Sequence, residues 1–397
     1  STQNFTTATT TYNTAVGDRA GLSVTTGVSN TLIGGLAGDA FTDADYNVAI
    51  GSQALSLDTL GSRSVAIGHA VLQTQNFTTA TDAYNTAVGF SAGTTLTTGI
   101  NNTLIGALAG DALTDADHNV ALGTYALTAD TLGSRSVAIG YAALDTQNFT
   151  TATDSYNTAV GFGAGGGVTT GIHNTFIGGR SGDGTDDGSY NVAVGQEALS
   201  ANCSNENTAV GHAALFACTA AENTACGSGA GYSLTTATGG AFLGQHAGVY
   251  ATTASNSTFI GHDAGKSLEG TPLTGDNNTA VGKDAGLFLQ GAATNNTLVG
   301  KSSGGALETG TQNTFVGANA GDSTDDGTRN VAVGYLSLTS NCGDNNTALG
   351  TQALQGHTGA DSTAVGYAAL NVCTADSNTA LGKFAGLAVS TGTGNTL

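Results

Sequence analysis

The chain has 397 residues, of which 61 are Gly, one is Pro (Pro272) and none is Met or Trp, and its formal net charge is −20. Only nine residues are basic, scattered from Arg19 to Lys383, so there is no cationic footprint for nucleic acid or an anionic membrane surface. No run of about eighteen apolar residues exists to insert into a bilayer, and 39% hydrophobic residues in strict register exclude a disordered polar tract. Beginning at Ser1 and ending at Leu397 inside its own motif, the chain reads as a mature or excised stretch of something longer.

One motif recurs from end to end: Asn, Thr or Val, then Ala, Leu or Phe, then Val or Ile, then Gly-x-x-Ala. Its first copies are Asn13 to Ala20, with Val16 and Gly17, and Asn30 to Ala37, with Ile33 and Gly34. Twenty-two motif glycines run from Gly17 to Gly382; of the 21 intervals, twelve are 17 residues, five are 16, three are 21 and one is 18. A fixed period of this length is the mark of a solenoid. The four residues before each Gly are short, β-branched and bounded by Asn and Gly, which predicts one strand per coil and no helix.

Positions are counted from the motif Gly. Side chains at −1 and −3 share one face of the strand, and −2 takes the other. Both faces are apolar, and a strand apolar on both faces is covered on both. We expect −1 to fill the coil and −2 to meet another copy of the chain, most simply in a trimer. Asn at −4, present in 17 of 22 copies, predicts a stacked amide ladder. The motif Gly predicts a positive φ or a close backbone approach. Position +4, Gly in thirteen copies and Leu in nine, predicts an interior plug wherever it is Leu. The 21-residue coils must loop their extra residues outward. Twenty-two rungs about 4.8 Å apart would span roughly 105 Å.

Along the chain, Asn4, Asn76 and Asn148 each open Asn-Phe-Thr, 72 residues apart, and are candidate glycan acceptors. Residues 17–88 and 89–160 are near copies, as are residues 186–211 and 325–350, which favours a lengthening device over a unique active site. Asp183, Asp186 and Asp187, and again Asp322, Asp325 and Asp326, lie in Gly-rich acidic segments; they are candidate Ca2+ ligands, and solvated turns are the alternative. Ca2+ is the sole cofactor the composition suggests. Cys203 and Cys218 fall on adjacent coils as a candidate disulfide, or else as small buried residues. Cys226 replaces an aliphatic at −1, read as core. The seven histidines read as surface turn residues without ligand spacing.

Ser64-Val65-Ala66-Ile67-Gly68 and Ser136-Val137-Ala138-Ile139-Gly140 resemble the head repeats of trimeric autotransporter adhesins, and the Asn-Thr-Ala-Val-Gly form resembles repeats of bacterial and phage tail-fibre-like proteins. The resemblance covers essentially the whole chain. It implies a left-handed parallel β-roll, a homotrimer, and a place on a cell or virion surface with a host-surface, matrix or glycan ligand. The chain departs from the adhesins in its longer coils and in lacking a heptad stalk and a membrane anchor.

The expectation is therefore a single all-β domain over residues 1–397, a left-handed parallel β-solenoid of about 22 coils of 16–21 residues, trimeric and not an enzyme. Its expected role is structural, in an extracellular fibre, as the head or shaft of an adhesin-like appendage or as a phage tail-fibre shaft. A hexapeptide-type acyltransferase would need the aliphatic-Gly-x-x-Ala signature three times per coil, and it occurs once. An ice-binding Thr array is disfavoured by placing the −3 Thr on the inward face.

Overall fold

A computed structural model describes residues 10–397. Among them there is no helix; 22 strands of three residues recur once per motif, from Thr14–Val16 to Thr379–Leu381. The chain divides into two compact units, residues 1–197 and 198–397, each contributing eleven of those strands. Each unit is a parallel β-solenoid in its own right.

In the first unit the strands pair in parallel with equivalent residues opposed, Thr31 on Val48, Leu32 on Ala49 and Ile33 on Ile50. The second unit repeats this, for example Thr314 on Val331, Phe315 on Ala332 and Val316 on Val333. Register is held outside the strands as well. The N–H of Thr31 donates to the Asn47 carbonyl at 2.8 Å, and that of Gly51 to the Ile33 carbonyl at 2.7 Å.

The strand faces are reversed relative to expectation. From Leu32 to Ala380 every −2 side chain is buried, whereas Ile33, Ile67, Leu122 and Ile177 at −1 are 36–41% exposed. The −2 column is the interior, and the −3 and −1 columns look outward together. Alternation defines two faces without saying which is inside. The signal that does say so is Thr, which heads 15 of the 22 strands, and a face rich in hydroxyls is the wet one. Cys226 accordingly lies exposed and is not core.

Interior volume is shared between columns. Each rung with a bulky −2 residue (Leu32, Leu104, Phe176, Phe242, Phe259, Leu298, Phe315) carries Gly at +4, and all nine Leu at +4 stand on rungs with Ala at −2. Leu55, Leu72, Leu127 and Leu144 are fully buried, as expected of plugs. Each is held at a left-handed φ of 49–55°. Non-Gly residues in that region cost about 1–3 kcal/mol unless their surroundings over-determine them. Here the next rung does so, the Leu55 N–H donating to the Val71 carbonyl at 3.1 Å.

The motif Gly is needed for space as much as for conformation. Gly300 has φ +135°, and a Cβ there would lie 2.5 Å from the Gly317 carbonyl oxygen on the next rung. The Asn column forms a bracket between rungs. Asn30 Oδ1 accepts the Asn47 N–H at 2.9 Å while Asn30 Nδ2 donates to the Ala44 carbonyl at 2.7 Å. The expected amide ladder thus runs mainly through the backbone. The extra residues of two long coils do turn outward, Thr78–Ala80 and Leu268–Thr271 being exposed.

Candidate functional surface

Three surfaces of the solenoid could meet a partner. The first is the outward strand face, where Thr at −3 alternates with Val, Ile or Leu at −1 on rung after rung. Its rows are continuous within each unit because the parallel register places like on like.

The second is the −5 edge of the first unit. Parallel stacking turns a scattered set of residues into a continuous ladder. The Arg63 guanidinium lies 4.9 Å from the Tyr46 ring centre and 5.9 Å from that of Tyr84. Arg135 lies 5.7 Å from Tyr156, which stacks on His173 at 5.2 Å, and His173 stacks on Tyr190 at 4.9 Å. The four tyrosines are about half exposed. Arg63 and Arg135 are each anchored by a carboxylate at 2.9 Å, Asp82 and Asp154. In the second unit this column becomes polar and acidic, with Glu206, Glu222, Asn277 and Asn295.

The third lies in the second unit. A groove of about 410 Å³ runs between Tyr232, His246, Val249, Tyr250, Glu269 and Pro272. Beside it, stacking brings His246 and His262 to the carboxylate of Asp263, so these two histidines are not the isolated turn residues the sequence suggests. His357 departs further, being wholly buried. Its Nδ1 lies 2.8 Å from the Cys373 carbonyl and its Nε2 3.1 Å from Asn346 Oδ1, and burial pushes its pKa down.

A buried carboxylate network also escaped sequence reasoning. Where Ser64 and Ser136 replace the −4 Asn, a glutamine completes the bracket. Gln75 Nε2 donates to Asp58 Oδ2 at 2.7 Å and to Ser64 Oγ at 3.2 Å, and Gln75 Oε1 accepts Asn85 Nδ2 at 2.9 Å. Gln147, Asp130, Ser136 and Asn157 repeat this 72 residues on. Burial raises the pKa of both Asp58 and Asp130, opposed by the glutamine and backbone donors.

Of the candidate Ca2+ ligands, Asp186, Asp187 and Asp326 are exposed, and Asp183, Asp322 and Asp325 are half-buried. Their main chains are tied to neighbouring rungs, the Asp322 and Asp325 carbonyls each accepting an N–H at 2.8 Å, from Ala306 and Glu308. The Thr169 hydroxyl donates to Asp186 Oδ1. Among the described residues, the only group of three metal-ligating side chains converging within 4.8 Å is His262, Asp263 and Asp284. Cys203 and Cys218 are buried, unbridged neighbours, and burial pushes the Cys218 thiol up to about 11. Asn76 and Asn148 are exposed, with Oδ1 accepting Thr59 and Thr131 hydroxyls at 3.0 and 3.2 Å. Asn4 lies outside the described residues.

No protein-family model and no curated protein matches the chain. Among the described residues, no helix is long and apolar enough to cross a membrane.

Proposed function

We propose that this chain is a structural component of an extracellular fibre, a left-handed β-solenoid whose copies associate as a trimer on a cell or virion surface. The observation that carries this reading is the outward strand face. A surface-facing strand with water on one side is expected to be polar there. The Thr column meets that expectation, but beside it an aliphatic residue stands half-exposed on nearly every rung, Ile33, Ile67, Leu122, Ile177, Leu243 and Ile260 among them. Contiguous exposed apolar rows mark interaction surfaces. The near-copy of residues 17–88 in residues 89–160 fits a device lengthened by duplication. The Tyr-Arg-His edge supplies amphipathic side chains suited to a host-surface, matrix or glycan ligand. The reading covers both an adhesin-like head and a tail-fibre shaft.

Light scattering tests the assembly. The wild-type chain should give three times its 38.8 kDa mass, and Ile105→Asp with Val160→Asp on the outward face should give the single mass with unchanged circular dichroism. A wild-type monomer at micromolar concentration would sink the proposal.

One observation favours a second reading. The −3 Thr column faces outward, removing the ground on which ice binding was disfavoured. Parallel Thr and Val/Ile rows at rung spacing could order water. Thermal hysteresis in the wild-type chain, lost in Thr103→Asp, would favour it over assembly.

A further inference from the structure

We propose that His262, Asp263 and Asp284 bind one transition-metal dication of the zinc class, with His246 on the preceding rung beside them. His246, Asp263 and Asp284 occupy the same position, +2, on three successive rungs, and His262 is the +1 residue beside Asp263. Left-handed backbone at +2 (φ 57–58°) holds the three in one column. The solenoid period, not sequence proximity, gathers the ligands.

The spacings suit such an ion. Zinc–nitrogen and zinc–oxygen bonds of about 2.0–2.2 Å place tetrahedral ligand atoms about 3.3–3.5 Å apart. His246 Nδ1 lies 3.3 Å from Asp263 Oδ1, and His262 Nδ1 lies 3.1 Å from Asp263 Oδ2. The ligand atoms of His262, Asp263 and Asp284 all fall within 4.8 Å of one another. Asp263 Oδ1 is buried and makes no hydrogen bond, with His246 Nδ1 and Lys266 Nζ as its nearest cationic neighbours. One imidazole and two carboxylates form a mixed N/O set, and the imidazole favours zinc, copper or nickel over Ca2+. Coordination through Nδ1 leaves His262 Nε2 free, and that ring is 45% exposed. His246 also lines the groove, which gives an ion an entry path.

Two lysines now balance the carboxylates. Lys266 Nζ is 3.5 Å from Asp263 Oδ1 and Lys283 Nζ is 2.7 Å from Asp284 Oδ2. Both are surface side chains that can swing aside, so the ion and the ammonium groups compete. This competition separates a metal site from a plain ion-pair cluster: Lys266→Gln and Lys283→Gln should tighten metal binding.

The test is calorimetric titration of the full metal-free chain with ZnCl₂, alongside Co2+ absorption. One site per chain is expected, with tetrahedral cobalt bands, and about tenfold or more weaker binding in His262→Ala and Asp284→Asn. The metal-free variants should unfold with the wild type, because the substituted side chains are mostly at the surface. Absence of cobalt bands in the wild-type chain overturns the proposal. So does Zn2+ binding unchanged in His262→Ala, or equal displacement by Ca2+, which would mark diffuse attraction to an acidic chain.

Discussion

Leu104 and Gly110, six residues apart on one rung, fill a single space: a Cβ on Gly110 would lie 2.8 Å from Leu104 Cδ2. A rung later the volume is exchanged, with Ala121 at −2 and Leu127 at +4. Gly110 and Leu127 share a φ of 55°, so the backbone accepts either residue. Leu104→Ala should cost about 2–5 kcal/mol, and Gly110→Leu should also destabilise. The double variant should recover about 0.5–3 kcal/mol relative to the sum, read from urea midpoints in a double-mutant cycle. Strict additivity would refute the shared-space account.

The motif glycine makes a sharper prediction. Gly300→Ala forces a Cβ against a main-chain carbonyl that cannot rotate away, and should cost about 3 kcal/mol or more. Gly270→Ala is the control, since nothing lies within 4 Å of a Cβ there. Its midpoint should stay within about 0.5 kcal/mol of wild type.

Asp58 and Asp130 set a pH dependence. Burial raises their pKa in the folded chain, so between the ordinary carboxyl value and the raised one the folded state holds more protons than the unfolded state. Their contribution to stability therefore falls as pH rises through that window and stays at its lowest above it. Asp58→Asn with Asp130→Asn, retaining Oδ1 for the Gly61 and Gly133 N–H groups at 3.0 Å, should flatten the slope of urea midpoint against pH in that window. An unchanged slope would mean that the two carboxyls do not titrate there.

His357 acts with the opposite sign. Its pKa is lowered chiefly by burial, so the unfolded state takes up the proton first and stability is lost as pH falls below the ordinary imidazole value of 6.5. Neutral imidazole donates to only one of the two facing oxygens, Cys373 O and Asn346 Oδ1. His357→Leu should remove the loss of stability seen between neutral and mildly acidic pH, as measured by thermal unfolding at several pH values. Persistence of that loss would assign it elsewhere.

The architecture was legible because it is one-dimensional. A repeated Gly, Asn and β-branched strand dictates a coil period, and stacking identical coils satisfies backbone donors and acceptors without long-range information. What was misjudged concerned direction. Val16 and Ile33 were expected inside, yet Leu32 and Ala49 form the interior, since alternation is symmetric between faces. The Thr bias at −3 and the Leu/Gly exchange at +4 both carried the correct answer.

Sequence by itself determined the rung: its length, its strand, its obligatory Gly and the Asn that joins it to the next. Only the tertiary structure decided which side chains become neighbours across rungs. His246 meets Asp263 and Gln75 meets Asp58 across 17 residues of chain because parallel stacking converts equal phase in the repeat into contact. Phase is written in the sequence, but the inward or outward sense of each column depends on how the coil closes, and closure is a property of packing.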